Sequence, residues 1–130
     1  MIGDQLQKAI YSALTGASIC SGHIYDRVPK SATFPYVTIG DDDVIDDSNS
    51  CGDAYEVFPK IHVWSRSPAE SKLELKNIVA EIVPTIVGLS SVTDFTIVLS
   101  EFQGCSTIRD PDGLTEHAVL TFRLLLDPAS

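Results

Sequence analysis

His23, His62 and His117 are the three imidazoles of this 130-residue chain, and with its many serines and aspartates they are the residues that could build an acid–base or nucleophilic site. Chain order cannot exclude a Ser-His-Asp triad, because triads occur in several orders. Local context is more informative. There is no Gly-x-Ser-x-Gly elbow, no Cys-Gly-x-Cys nucleophile context, no His-Glu-x-x-His helix and no glycine-rich phosphate loop. His62 alternates with Ile61 and Val63, and His117 precedes Ala118 on the opposite strand face. Both read as satisfied or surface histidines on strands, so no catalytic residues, no cofactor and no enzymatic activity are expected.

Carboxylates offer a second chemistry. Asp41, Asp42, Asp43, Asp46, Asp47 and Asp53 crowd one polar segment, and hard cations bind clustered carboxylate oxygens. An EF-hand alignment on Asp47, Asn49, Cys51 and Gly52 fails, however. A thiol occupies the fifth ligand position, and Phe58 stands where a bidentate Glu belongs. The segment therefore reads as a solvated interaction loop, with no metal expected. Cys20, Cys51 and Cys105 are odd in number and form no Cys-x-x-Cys pair, which suits reduced thiols better than a disulfide frame or zinc site.

Hydrophobic residues at 44% and charged residues at 21% describe an ordinary globular chain, expected to form a single domain over residues 1–130. The net charge of −9 argues against gripping nucleic-acid phosphates and leaves room for a basic protein partner. No apolar run approaches the roughly 20 residues that span a bilayer, and the N-terminus lacks a secretory pattern. Synthesis in the cytoplasm and no membrane partner are expected.

The elements that must position these groups follow from periodicity. Leu6, Ala9, Ile10, Ala13 and Leu14 share one helical face over residues 4–16, with Asp4 and Gln7 as a capping box and Gly16 as a left-handed stop. A second helix starts at Ser67 as N-cap, followed by Pro68 and Glu70. Leu75, Val79, Ile82 and Ile86 form its stripe, and Pro84 is expected to stop or kink it. Strands are expected at residues 23–26, 36–40, 54–64 (interrupted at Pro59), 95–102 and 115–126. Asp110-Pro111-Asp112-Gly113 signals a tight turn, and residues 41–53 and 104–113 read as loops. Trp64 is expected to anchor the corner between its strand and the second helix. Arg27, Arg66, Arg109 and Arg123 read either as intersubunit partners for the acidic loops or as solvated. The order helix, strands, helix, strands gives an α+β fold: a mostly antiparallel sheet with two helices packed on one face.

Several short motifs, in order, also carry a resemblance. Tyr25-Asp26-Arg27-Val28-Pro29, Phe34-Pro35-Tyr36-Val37, His62-Val63-Trp64-Ser65-Arg66 and the run from Arg109 to His117 through Asp110, Asp112 and Gly113 resemble the tail-terminator (tail completion) proteins of long-tailed bacteriophages and prophages. The resemblance spans nearly the whole chain, departing only in the unusually acidic loop. It implies a structural virion protein that caps the tail tube, stops its polymerisation and offers a surface for head joining. Its implied partners are the tail tube protein, the head completion or connector protein and further copies of itself in a ring, typically a hexamer, with isolated copies able to stay monomeric. The implied location is the virion tail, after assembly in the bacterial cytoplasm. On this reading Asp41, Asp42, Asp43, Asp46, Asp47, Asp53, Arg109, Asp110 and Asp112 are interaction candidates, and Pro29, Pro35, Tyr36, Trp64, Ser67 and Gly113 are structural ones. The alternatives are another tail-tube or head–tail connector component of similar fold and, behind it, a small-ligand-binding or enzymatic domain.

Overall fold

The computed structural model describes residues 2–40, 42–46, 48, 52–66 and 72–128. Its elements in chain order are α1 (Ile2–Gly16), a 3-10 turn (Ile19–Gly22), β1 (Ile24–Tyr25), β2 (Tyr36–Ile39), β3 (Asp43–Asp46), β4 (Tyr55–Phe58), β5 (Lys60–Ser65), α2 (Leu73–Val87), β6 (Ser91–Val92), β7 (Phe95–Arg109) and β8 (Glu116–Pro128).

β8 organises the sheet. Ala118, Leu120, Phe122, Leu124 and Leu126 alternate along it and are all fully buried. A period of two puts them on one face of the strand. On one edge β8 pairs with β5 at Glu116–Thr121 and with β4 at Leu124–Leu126. On the other edge it pairs with β7 along its whole length, through register shifts at Ile97/Leu99 and Phe102/Gly104. β2 extends the sheet from β5, β3 extends it from β4, and β6 caps the start of β7. β1 joins β2 in parallel; the other pairings are antiparallel. The two helices close one side of this sheet. Ile2, Leu6, Ile10 and Leu14 of α1 and Leu75, Ile78, Ile82 and Ile86 of α2 join the β8 stripe, Ile61, Val63 and Val37 in one hydrophobic cluster. The α+β class, the antiparallel sheet and the shared helix face match the sequence reading.

The element ends differ in instructive ways. α1 includes Ile2, so Asp4 lies inside its first turn, where its charge favours the helix dipole without capping it. The left-handed residue after α1 is Ser18 at φ 56, beyond Gly16. The expected start of α2 at Ser67, Pro68 and Glu70 lies outside the described residues. α2 runs through Pro84 to Val87 without stopping. Ile82 and Ile86 on either side are fully buried, and each buried side chain is worth about 1.5–3 kcal/mol, which offsets the proline penalty of roughly 3 kcal/mol. Pro59 does divide residues 54–64 into two strands. Both halves lie beside β8, and Phe122 donates its amide to the Pro59 carbonyl at 3.1 Å, so the break is internal to the sheet and not an edge.

Two expected loops contain strands. Residues 43–46 form β3 against β4, despite their charge, and β7 continues through residues 104–109 against β8. In both places a neighbouring strand offers backbone partners, and satisfying those groups outweighs weak local β-propensity.

Phe122 is a fully buried strand residue with its ring 5.5 Å from that of Phe102. Phe122→Ala is expected to cost about 3–5 kcal/mol of stability, read as a lower urea midpoint at unchanged slope.

Candidate assembly interface

The sheet face turned away from the helices carries an aromatic and histidine cluster. Tyr36 is registered with Trp64, Thr38 with His62, and Trp64 with His117, so three neighbouring strands project these side chains together. Trp64 stacks on His117 with centroids 3.7 Å apart and planes 9° from parallel. The His117 Nε2 and His62 Nδ1 atoms are 2.8 Å apart and share one hydrogen bond. Trp64 donates its indole N–H to Thr38 Oγ1 at 3.4 Å, and Tyr36 lies 6.3 Å beyond. A Cβ on Gly40 would stand 2.7 Å from His62 Nε2, so the glycine makes room for that ring. Trp64 thus belongs to the open sheet face, and not to the strand–helix corner expected of it. Alternation with Ile61 and Val63 already assigns it there.

Burial pushes the His117 imidazole below its ordinary value of 6.5, with His62 contributing further and Asp110 opposing. Neutral His117 suits the observed geometry, because a pair of imidazoles needs one acceptor nitrogen.

At one end of the sheet this cluster meets the β7–β8 turn. Asp110 donates its amide to the Thr115 carbonyl at 2.8 Å and accepts from the Gly113 amide at 2.9 Å, with Gly113 at φ 73. Asp112 holds the turn: Oδ1 accepts from the Leu114 and Thr115 amides, and Oδ2 accepts from Thr115 Oγ1 and the Arg66 guanidinium. The Leu114 and Thr115 amides, then the Thr115 hydroxyl, bring the Asp112 carboxyl down to about 2. Arg66 lies over the Phe34 ring at 4.5 Å, next to the cis Phe34–Pro35 peptide and Tyr36. Pro29 stands apart, in an exposed loop closed by the Ala32 amide on its carbonyl.

Arginines expected either to seek other subunits or to stay solvated are engaged within the chain. Arg66 pairs with Asp112, Arg109 with the buried Glu116 at 2.7 Å, and Arg123 bridges Glu56 of β4 and Glu101 of β7. Arg27 is exposed.

The acidic candidates lie elsewhere. Asp43 and Asp46 are exposed on β3, flanking Val44 and Ile45, which are 42% and 48% exposed. Asp46 accepts from Ser48, and those bonds hold its carboxyl below the usual range. Asp42 is half-buried and Asp53 exposed; Asp41, Asp47 and Ser67 lie outside the described residues. Tyr55, at the turn end of the β3–β4 hairpin, registers with Leu126, whereas the β7–β8 turn abuts Glu116. The structure therefore sets Asp46, opposite Tyr55, about ten residues of β8 from the β7–β8 turn, roughly 33 Å at ~3.3 Å per residue, with Asp43, opposite Phe58, nearer to that turn. Among the described residues, no three His, Cys, Asp or Glu side chains group as a metal site, and no helix is long and apolar enough to cross a membrane. Cys20 and Cys105 are free thiols, with Cys20 pushed up to about 12 by burial and then by Glu74 and Glu81; Cys51 lies outside the described residues.

A family profile described as "Tail completion protein gp17" matches residues 6–127. The chain belongs to this family. Its role is structural, in assembling a phage-type tail alongside other tail components. Among solved structures, a chain from the "Virion of native gene transfer agent (GTA) particle" superimposes at a TM-score of 0.85 and 23% identity, covering 96% of each chain, which establishes a shared fold. No curated protein matches in sequence. What sequence reasoning missed in this tail completion protein is the grouping of Tyr36, Trp64, His62 and His117, whose signal was the alternation of β2, β5 and β8.

Trp64 is the sole tryptophan and reports on the cluster. Because the folded His117 pKa is lowered, its contribution to stability is present above pH 6.5 and is lost as pH falls through the folded value. Tryptophan emission is expected to drop along the same titration, with a midpoint below 6.5, and to stay flat in His117→Gln. For the turn, Asp112→Ala is expected to lower the melting temperature at neutral pH. That difference should disappear as pH falls through about 2, where the native carboxyl protonates.

Proposed function

We propose that this chain works as one tail-terminator domain that caps the tail tube as a cyclic ring, a hexamer on the family pattern, stops tube growth and presents the other side to the head connector. The observation that supports this best is that the tip of the acidic β3–β4 hairpin, at Asp46, and the β7–β8 turn, with Asp110 and Asp112, lie toward opposite ends of β8. Ending a helical polymer requires one face that matches its growing end and another that does not reproduce it. A domain with chemically different ends supplies both. The acidic end carries the exposed Asp43, Asp46 and Asp53, and suits a basic surface of a neighbouring tail component. The other end carries Arg109, Asp110 and Asp112 on the ordered turn. Pro35, Tyr36, Trp64 and Gly113 shape the scaffold beside that turn. The similar chain of the gene transfer agent is itself a virion component, which favours the same reading. No step in this role requires a catalytic group, a metal or a cofactor. The protein would be made in the host cytoplasm and end in the virion.

Electron microscopy of particles lacking the gene tests the role. Overlong, headless tubes restored to normal length and joining by the purified protein are the expected result. Absent tubes would assign a tube or initiation component instead, and normal virions would remove a tail role. Deleting residues 44–50 is expected to abolish restoration; normal, joined tails from that variant would remove the acidic segment from the interface.

A further inference from the structure

Beyond Ile97, whose amide donates to the Ser90 carbonyl, β7 has no strand on its outer edge among the described residues. Residues 98–109 are thus an open edge. Both faces of residues 105–109 are exposed as well, and Val98 and Ile108 are 60% and 53% exposed. Exposed edges in soluble proteins are usually blunted by lysine, proline, bulges or a covering loop. This edge has no Lys or Pro, and its two irregularities lie before Gly104, leaving residues 104–109 in unbroken register with β8.

The far side of the same sheet ends in a second open edge. β3 pairs with β4 alone among the described residues and exposes Val44 and Ile45. We propose that the β7 edge of one copy takes up β3 of a second copy, so that adjacent subunits share a continuous sheet. This deepens the ring reading above and rests on it. Two different edges joined head to tail form a heterologous contact, the kind that closes into a ring.

Geometry fixes the pairing. β3 runs parallel to β8, because each is antiparallel to β4, and β7 runs opposite to β8. A neighbour that continues the sheet with its helices on the same face must therefore lay β3 antiparallel to β7. Matching faces then leaves registers in steps of two. One places Asp43 against Asp110 and is opposed by like charge. The next sets Ile45 opposite Ser106 and diagonal to Ile108, Val44 opposite Thr107, Asp46 opposite Cys105 and Asp42 opposite Arg109. Arg109 is the only charged residue of β7 beyond Glu101; its Nε is held by Glu116 and its side chain is still half exposed, so the acidic strand lands on a guanidinium already fixed in place.

Cys105 is a native free thiol at a paired position, so one substitution tests the register. Directly opposed residues have Cβ atoms close enough for a disulfide. Asp46→Cys in a Cys20→Ser/Cys51→Ser background is introduced into particles lacking the gene, which are purified, oxidised and run without reductant. A ladder of multimers beyond the dimer is expected, absent from the same background with Asp46 intact. Val44→Cys/Thr107→Cys with Cys105→Ser should give the same ladder if the first variant fails to fold. Ser106→Lys, which puts an ammonium on the edge, should keep its melting temperature and lose tail completion. Dimers only, formed equally with Asp46 intact, would mean that β7 pairs with itself and would overturn the proposal. Normal completion by both cysteine variants with no ladder, or by Ser106→Lys, would overturn it while leaving the tail role standing. Failure of the unaltered protein to restore tails would overturn the tail role and this pairing together.

Discussion

Everything in this fold depends on β8 being paired along both edges while its even-numbered side chains from Ala118 to Leu126 are fully buried. A strand in that position has no freedom of register. A slip of one residue would turn Leu120, Phe122 and Leu124 toward the open face and put Val119, Thr121 and Arg123 in the core. That constraint passes outward. β5 and β4 must present Val57, Ile61 and Val63 to the helices, which leaves His62 and Trp64 on the other side beside His117. The open-face cluster is thus the complement of the core pattern, fixed by the same alternation and built from residues that can hydrogen-bond where solvent reaches them.

The sequence made the strongly periodic parts legible. The β8 stripe, most of the α1 stripe and the Pro59 break are visible in residue order because burial imposes period two or 3.6 on the side chains. Where the reading failed, non-local backbone pairing had overruled composition. Residues 103–107, Gln-Gly-Cys-Ser-Thr, have the polar character of a loop, yet β8 offers them a ladder they could not form alone. Asp43 to Asp46 is the same case, with Tyr55 to Phe58 as template. Trp64 failed differently. Its place at the end of a strand, directly before the second helix, suggested a packed corner, while its parity with His62 pointed to the open face, and parity decided the matter. Of the candidate site, single residues were readable, but their division between two ends of one strand was not, because it depends on which strands become neighbours.

Electrostatics follow the same division. The chain carries 18 acidic and 9 basic residues. Arg66, Arg109 and Arg123 are each tied to carboxylates within the sheet or its turn. Their role is to brace strands and the β7–β8 turn, so three of the few cations already have carboxylate partners within the chain. Glu56 and Glu101 sit on either side of Arg123, so one guanidinium fork holds β4 and β7 across β8. The excess negative charge remains in places such as Asp43, Asp46 and Asp53, which are exposed.

Open apolar-centred edges and a charge of −9 act in opposite directions. Unpaired edge groups favour strand addition. Like net charge on every copy opposes it over about a Debye length, roughly 8 Å at physiological salt. In free solution the repulsion acts between whole molecules, whereas edge pairing gains only where strands are already aligned. A partner that aligned neighbouring copies and carried positive charge would reverse that balance, reducing both the entropy of bringing edges together and the repulsion between them. On the edge pairing proposed above, a chain built this way would stay dispersed while alone and associate in register on a template.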